Sequence, residues 1–140
     1  MTIKQLSVFL ENKTGRINEV ARVLGQQGIN MHAFSLAESA DFGILRMIVS
    51  DVEKAKASLR EAHFAVQLTE VVCFNCPNQP GTLASVRDIL AREAIFIEYM
   101  YAFSEGDTAS VVIRPTDVQK CMDILKKSDC PLVSFREDHA

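Results

Sequence analysis

ENKTGRINEVARVLGQQGIN, residues 11–30, decides how the chain is read. Upstream of it Leu6, Val8 and Leu10 alternate along one face, the pattern of a half-buried strand. Within it Ile17, Val20, Ala21 and Leu24 recur at helical spacing, and Gly25 and Gly28 supply a C-terminal stop. Between strand and helix lies a short loop, Asn-x-x-Gly, that no packing pattern explains.

The same arrangement returns in PNQPGTLASVRDILAREAIF, residues 77–96, at an offset of 66 (78 − 12 = 66). At that offset ten positions are identical without a gap: Asn12/Asn78, Gly15/Gly81, Val20/Val86, Leu24/Leu90, Ile29/Ile95, Asp41/Asp107, Asp51/Asp117, Val52/Val118, Lys54/Lys120 and Leu59/Leu125. Unrelated segments of this length share roughly three. Ile17/Leu83, Val23/Ile89 and Ser50/Thr116 are conservative pairs in the same register. The chain is an internal duplication.

Each copy predicts the same elements. In the first, a strand over 3–10 and the helix are followed by strands over 29–38 and 42–49, with a turn at Ala40-Asp41. Ser50-Asp51 offers caps for a helix that carries Val52, Ala55 and Leu59, and a last strand begins near Phe64. In the second, strands are expected at 70–76, 95–104, 108–114 and 131–136, with helices at 81–92 and 117–128. The order is βαββαβ twice, an α+β fold of two ferredoxin-like modules, 1–68 and 69–140, with antiparallel sheets and helices on one face. The junction AVQLTEVVCFNC, residues 65–76, has no Gly, Pro or Ser to loosen it, so one strand should run almost directly into the next. That predicts two modules held side by side as one rigid unit.

Composition narrows the function. The chain is 48% hydrophobic and 24% charged, with net charge −3 and a pI near 5.6, so a sequence-independent nucleic-acid surface is not expected. No apolar run approaches the ~20 residues of a membrane span, and the N-terminus lacks the features of a signal peptide. A cytoplasmic protein follows, with reduced thiols at Cys73, Cys76, Cys121 and Cys130. Cys73-Phe-Asn-Cys76 has the spacing of a zinc or redox half-motif, but residues three apart on a strand face opposite ways. No metal or cofactor is expected, and no nucleophile–base or paired-carboxylate arrangement among His32, His63, His139 and the acids points to catalysis.

A βαββαβ module with Asn-x-x-Gly after its first strand and Gly-Ile-Asn-Met opening its second (Gly28 to Met31) resembles the ACT domain, a family of small-molecule-sensing regulatory modules commonly specific for amino acids. The resemblance covers essentially the whole chain as two tandem copies and implies a free-standing, non-catalytic sensor. It also implies a ligand at a module interface, contacting the first loop and the start of the second strand. Those positions are Asn12, Lys13, Thr14, Gly15, Arg16 and Ile17 with Asn30 and Met31, and in the second copy Asn78, Pro80, Gly81, Thr82 and Leu83 with Phe96 and Ile97. Such a loop suits an amino acid: a Gly admits a close approach, a helix start attracts a carboxylate, and an Asn amide can accept from an ammonium. Asn30 becomes Phe96 in the second copy, Thr14 becomes Pro80 and Arg16 becomes Thr82, so the first copy is expected to be the better anchor. The alternative is a ligand-free protein-interaction or oligomerisation module, because Asn and Gly also serve such loops structurally. Under either reading the expected partners are a second copy, paired through sheet edges, and a metabolic enzyme.

Two further features are read structurally. Tyr99, Tyr101 and Phe103 line one face of a strand, as in RNA-recognition modules, but without the basic-aromatic signature; packing or a pocket wall is the expected role. Gly25-Gln-Gln-Gly28 is expected to end a helix.

Overall fold

The computed structural model describes residues 2–11, 15–39, 41–128 and 131–132. It contains β1 (Ile3–Glu11), α1 (Arg16–Gln26), β2 (Met31–Glu38), β3 (Phe42–Val49), α2 (Val52–Glu61), β4 (Ala65–Pro77), α3 (Thr82–Arg92), β5 (Ile97–Glu105), β6 (Thr108–Pro115) and α4 (Val118–Lys127). These fall into two compact units, one from Lys4 to Thr69 and one from Glu70 onward. The expected junction is a single strand: β4 closes the first unit with its N-terminal half and opens the second with its C-terminal half.

In the first unit the strand order is β2-β3-β1-β4, and in the second β4-β6-β5. β1 pairs with β3 and β4 with β6 antiparallel, with Glu11 opposite Phe42 and Val8 opposite Leu45 in one unit, and Pro77 opposite Thr108 and Phe74 opposite Val111 in the other. Alternation then sends Leu6, Val8 and Leu10 to the same face as Leu45 and Met47, where Val20, Leu24, Ala55 and Leu59 of the helices cover them. The second unit repeats this with Val72, Phe74, Val111 and Ile113 under Val86, Leu90, Cys121 and Leu125. Each core is a single sheet face under two helices.

Helix ends follow from local chemistry. Asp51 Oδ1 accepts from the Lys54 N–H at 3.1 Å and Asp117 Oδ1 from the Lys120 N–H at 3.0 Å, side-chain caps that start α2 and α4. The Gly25-Gln-Gln-Gly28 stretch ends α1 as expected: Gly28 N–H donates to Gly25 O at 3.1 Å and Ile29 N–H to Leu24 O at 2.9 Å, with Gly28 at φ 68°. Ile29 and its counterpart Ile95 are spent in these closures, which is why β2 and β5 begin at Met31 and Ile97, two residues later than the periodicity suggests. Leu132 forms an antiparallel bridge to Phe74, while residues 133–136 of the expected last strand lie outside the described residues. Ala40 of the expected turn also lies outside them.

Candidate functional site

Register fixes what lies beside the Asn-x-x-Gly loops. Glu11 ends β1 opposite Phe42, and Gly43 pairs with Glu38, so the β2–β3 hairpin turn stands next to the loop and the start of α1. Met31 pairs with Val49 at the other end of β2, seven residues from Glu38 (38 − 31 = 7). At ~3.3 Å per residue that is about 23 Å. Within the first unit, therefore, Arg16 and Ile17 are brought together with the end of β2, and Asn30 and Met31 are not.

Asn30 has a structural task where it stands. Its N–H donates to Ser50 Oγ at 2.9 Å, and Ser50 N–H donates back to Asn30 O at 3.0 Å. Phe96 and Thr116 make the same reciprocal pair at 3.2 and 2.9 Å. Neither pair uses the side chain of Asn30 or Phe96, and each uses the hydroxyl of Ser50 or Thr116. Asn12, Lys13 and Thr14 lie outside the described residues.

A cleft sits at the same place in each unit. In the first it is lined by Leu10, Glu11, Arg16, Ile17, Leu36, Glu38 and Gly43. In the second it is lined by Cys76, Pro77, Asn78, Gln79, Thr82, Leu83, Ala102, Phe103, Ser104, Ala109 and Val111. Every one of the first set has its partner 66 positions on in the second, from Leu10/Cys76 to Gly43/Ala109. The described residues that line each cleft belong to one unit. Their sizes differ: about 30 Å³ in the first and about 270 Å³ in the second.

The helix starts at these clefts differ from those of α2 and α4. Gly15 and Gly81 precede α1 and α3 in the left-handed region, at φ 89° and 87°, and neither provides a side-chain cap. A residue with Cβ is strained at such a dihedral, although nothing lies within 4 Å of the place a Cβ would occupy at either glycine. At the start of α3 the Thr82 N–H donates to Gln79 O at 3.3 Å, and the partial positive charge of the helix start lies beside the second cleft. Asn78 pins the loop above it: its N–H donates to Asp107 O at 2.7 Å and its Nδ2 to Gly106 O at 3.3 Å.

Arg16 belongs to the first cleft and to the core beneath it. Its guanidinium lies 4.3 Å from the centre of the Phe64 ring and pairs with Glu19 at 2.8 Å. Its Nε is buried without a hydrogen-bond partner among the described residues. Pro80 and Gly81 are exposed at the rim of the second unit's loop, and Thr82 and Leu83 line the cleft.

The remaining candidates resolve into structure. Cys73 faces away from the helices opposite Val112, while Cys76 joins the core under them, so the two thiols do point to opposite faces. Burial pushes the Cys73 thiol up to about 12 and the Cys121 thiol up to about 11, where Asp117 adds to the effect; burial also raises Cys76. Protonated thiols are poor nucleophiles and poor metal ligands. No group of metal-binding side chains occurs among the described residues. Tyr99 and Tyr101 are half-buried on the sheet face away from the helices, and only Phe103 of that stripe reaches the cleft. His32 is half-buried beside a bulge at the start of β2 and lines neither cleft. His139 and Cys130 lie outside the described residues.

Sequence reading found the loop side of each cleft and missed the hairpin side, Ala102, Ser104 and Ala109. The signal was present in Gly43 and Asp41/Asp107, which mark the hairpin turn, but placing it requires the pairing of β1 with β3.

Comparison with known proteins places this geometry. Protein BT0572 from Bacteroides thetaiotaomicron is similar at 53% identity, with a TM-score of 0.92 over 95% of this chain and 92% of that one. The regulatory subunit of aspartate kinase from Thermus thermophilus shares the fold at 13% identity and a TM-score of 0.67, covering 90% of this chain and 92% of its own. The aspartokinase alpha and beta subunits share it at 15% identity and a TM-score of 0.63, covering 89% and 90%. No curated protein matches the sequence. No helix among the described residues is long and apolar enough to cross a membrane. The ACT domain pair family matches residues 1–137, and the chain belongs to that family of regulatory domains.

Proposed function

We propose that the protein is a non-catalytic cytoplasmic sensor that binds an amino acid at a loop–helix cleft and passes the signal through protein contacts. The observation that carries this reading is the contrast between helix starts. α2 and α4 are capped by the side chains of Asp51 and Asp117, whereas α1 and α3 open from left-handed glycines that provide no side-chain cap, beside a cleft in each unit. A carboxylate completes such a terminus. The ammonium is taken by loop carbonyls and an Asn side-chain oxygen, and the ligand's side chain enters the cleft. Asn12, Lys13, Thr14, Gly15, Arg16 and Ile17 of the first loop and Asn78, Pro80, Gly81, Thr82 and Leu83 of the second remain the proposed contacts, as do Asn30 and Met31, which lie at the far end of β2 from the start of α1 in their own unit. The Thermus thermophilus relative in fold is a regulatory subunit of aspartate kinase, which supports output through an enzyme partner or a second copy. β2 and β5, outermost in the strand order of their units, are the edges available for such pairing.

A second reading, a ligand-free interaction module, is favoured by the exposed Phe34, Phe42 and Phe96, each more than 60% accessible. A thermal-shift panel of the twenty amino acids separates the two. At ~100 times its dissociation constant a specific ligand adds ~2.7 kcal/mol, which raises the melting point of a chain this size by several degrees. One clear hit supports the sensor. Twenty flat curves favour the interaction module.

A further inference from the structure

We infer that the two clefts have diverged, so that only the second unit takes the ligand, one per chain, and that this ligand carries an uncharged side chain. This rests on the sensor reading above and goes beyond it by assigning the copy, the stoichiometry and the ligand chemistry. It also reverses the expectation drawn from Asn30, which lies at the far end of its strand from the loop.

The assignment follows from volume and charge at equivalent positions. The first cleft holds about 30 Å³ and the second about 270 Å³. The difference traces to substitutions at the 66-residue offset. Leu36 stands where the second unit has Ala102, Arg16 where it has Thr82, and Glu38 where it has Ser104. Each puts a longer side chain into the first cleft. Gly43 against Ala109 goes the other way by one methyl, and Ala37 against Phe103 by an aromatic ring. Arg16 does not offer its site a free cation either: its head pairs with Glu19 and lies on Phe64, and its spare Nε is buried out of a ligand's reach.

The charge pattern sets the ligand class. Glu11, Arg16 and Glu38 line the first cleft, whereas no carboxylate, ammonium or guanidinium lines the second among the described residues. An ionised ligand side chain entering the second cleft would lose water without gaining a counter-charge, which excludes acidic and basic side chains. Leu83, Ala102 and Val111 offer apolar contact, and Thr82 and Ser104 offer hydroxyls. A small to medium aliphatic or hydroxylated amino acid fits that lining.

The test is isothermal titration calorimetry of the full chain with each of the twenty amino acids, repeated on three variants that import one unit's residue into the other. Ala102→Leu and Ser104→Glu give the second cleft the first cleft's side chains; Ser104 is exposed, so its variant folds even where Ala102→Leu does not. Leu36→Ala gives the first cleft the second's. The expected result is one neutral amino acid bound per chain, weakened about tenfold or more by Ala102→Leu and by Ser104→Glu, and unchanged within about twofold by Leu36→Ala. Two sites per chain, a charged ligand, or loss of binding in Leu36→Ala with retention in Ser104→Glu would overturn the assignment while leaving the sensor reading intact. Absence of heat with every amino acid, matched by a flat thermal-shift panel, would overturn both.

Discussion

Gly28, His63 and Ala94 occupy one and the same place, the residue after a helix end that turns left-handed so the next N–H can reach back. Glycine is unstrained there; alanine pays roughly 1–2 kcal/mol for its Cβ, offset in part by its lower unfolded-state entropy. At Gly28 an added Cβ would meet nothing within 4 Å, so the effect is one of backbone alone. Gly28→Ala should therefore destabilise by about 0.5–1 kcal/mol, and Ala94→Gly should stabilise by a similar amount. Urea midpoints check both; a drop in both variants would contradict the account. The glycine stop at 25–28 was legible because glycine announces it. The same turns at His63 and Ala94 were not, since nothing in those residues signals a positive φ.

At the scale of elements, the capped helices were readable and the pairing partners were not. Asp51 and Asp117 stand just before an apolar-periodic run, and both cap it. Replacing either by Ala should cost about 1 kcal/mol, with the two losses adding in the double variant because each cap serves its own unit. Thermal denaturation of the single and double variants checks this; an additive loss is expected, and a negligible effect from Asp51→Ala would contradict it. Ser50 and Thr116 read equally well as caps, yet their hydroxyls accept from the Asn30 and Phe96 N–H groups. That bond joins residues twenty apart, and no local pattern encodes it. The missed half of the clefts has the same cause. Leu36, Glu38 and Gly43, and Ala102, Ser104 and Ala109, lie beside the starts of α1 and α3 because β3 and β6 return beside β1 and β4.

For the whole molecule, the duplication was legible because the identical residues are those that backbone geometry demands twice. Gly15/Gly81 sit at φ near 90°, Asp51/Asp117 cap, and Val20/Val86, Leu24/Leu90 and Leu59/Leu125 fill equivalent core positions. The proposed functional difference between the copies rests on positions such as Leu36/Ala102 and Glu38/Ser104, where the two clefts differ. The polarity of Asn30 favours the first copy, and the proposal, from the cleft volumes, favours the second. The most direct test of this account is amide chemical-shift mapping of the nitrogen-15-labelled protein with a pool of the uncharged amino acids. Shifts gathered at Asn78–Ala84 and Ala102–Ala109, with Gly15–Ile17 and Leu36–Gly43 unmoved, are the predicted result. Shifts confined to the first unit, or no shifts at all, would contradict it.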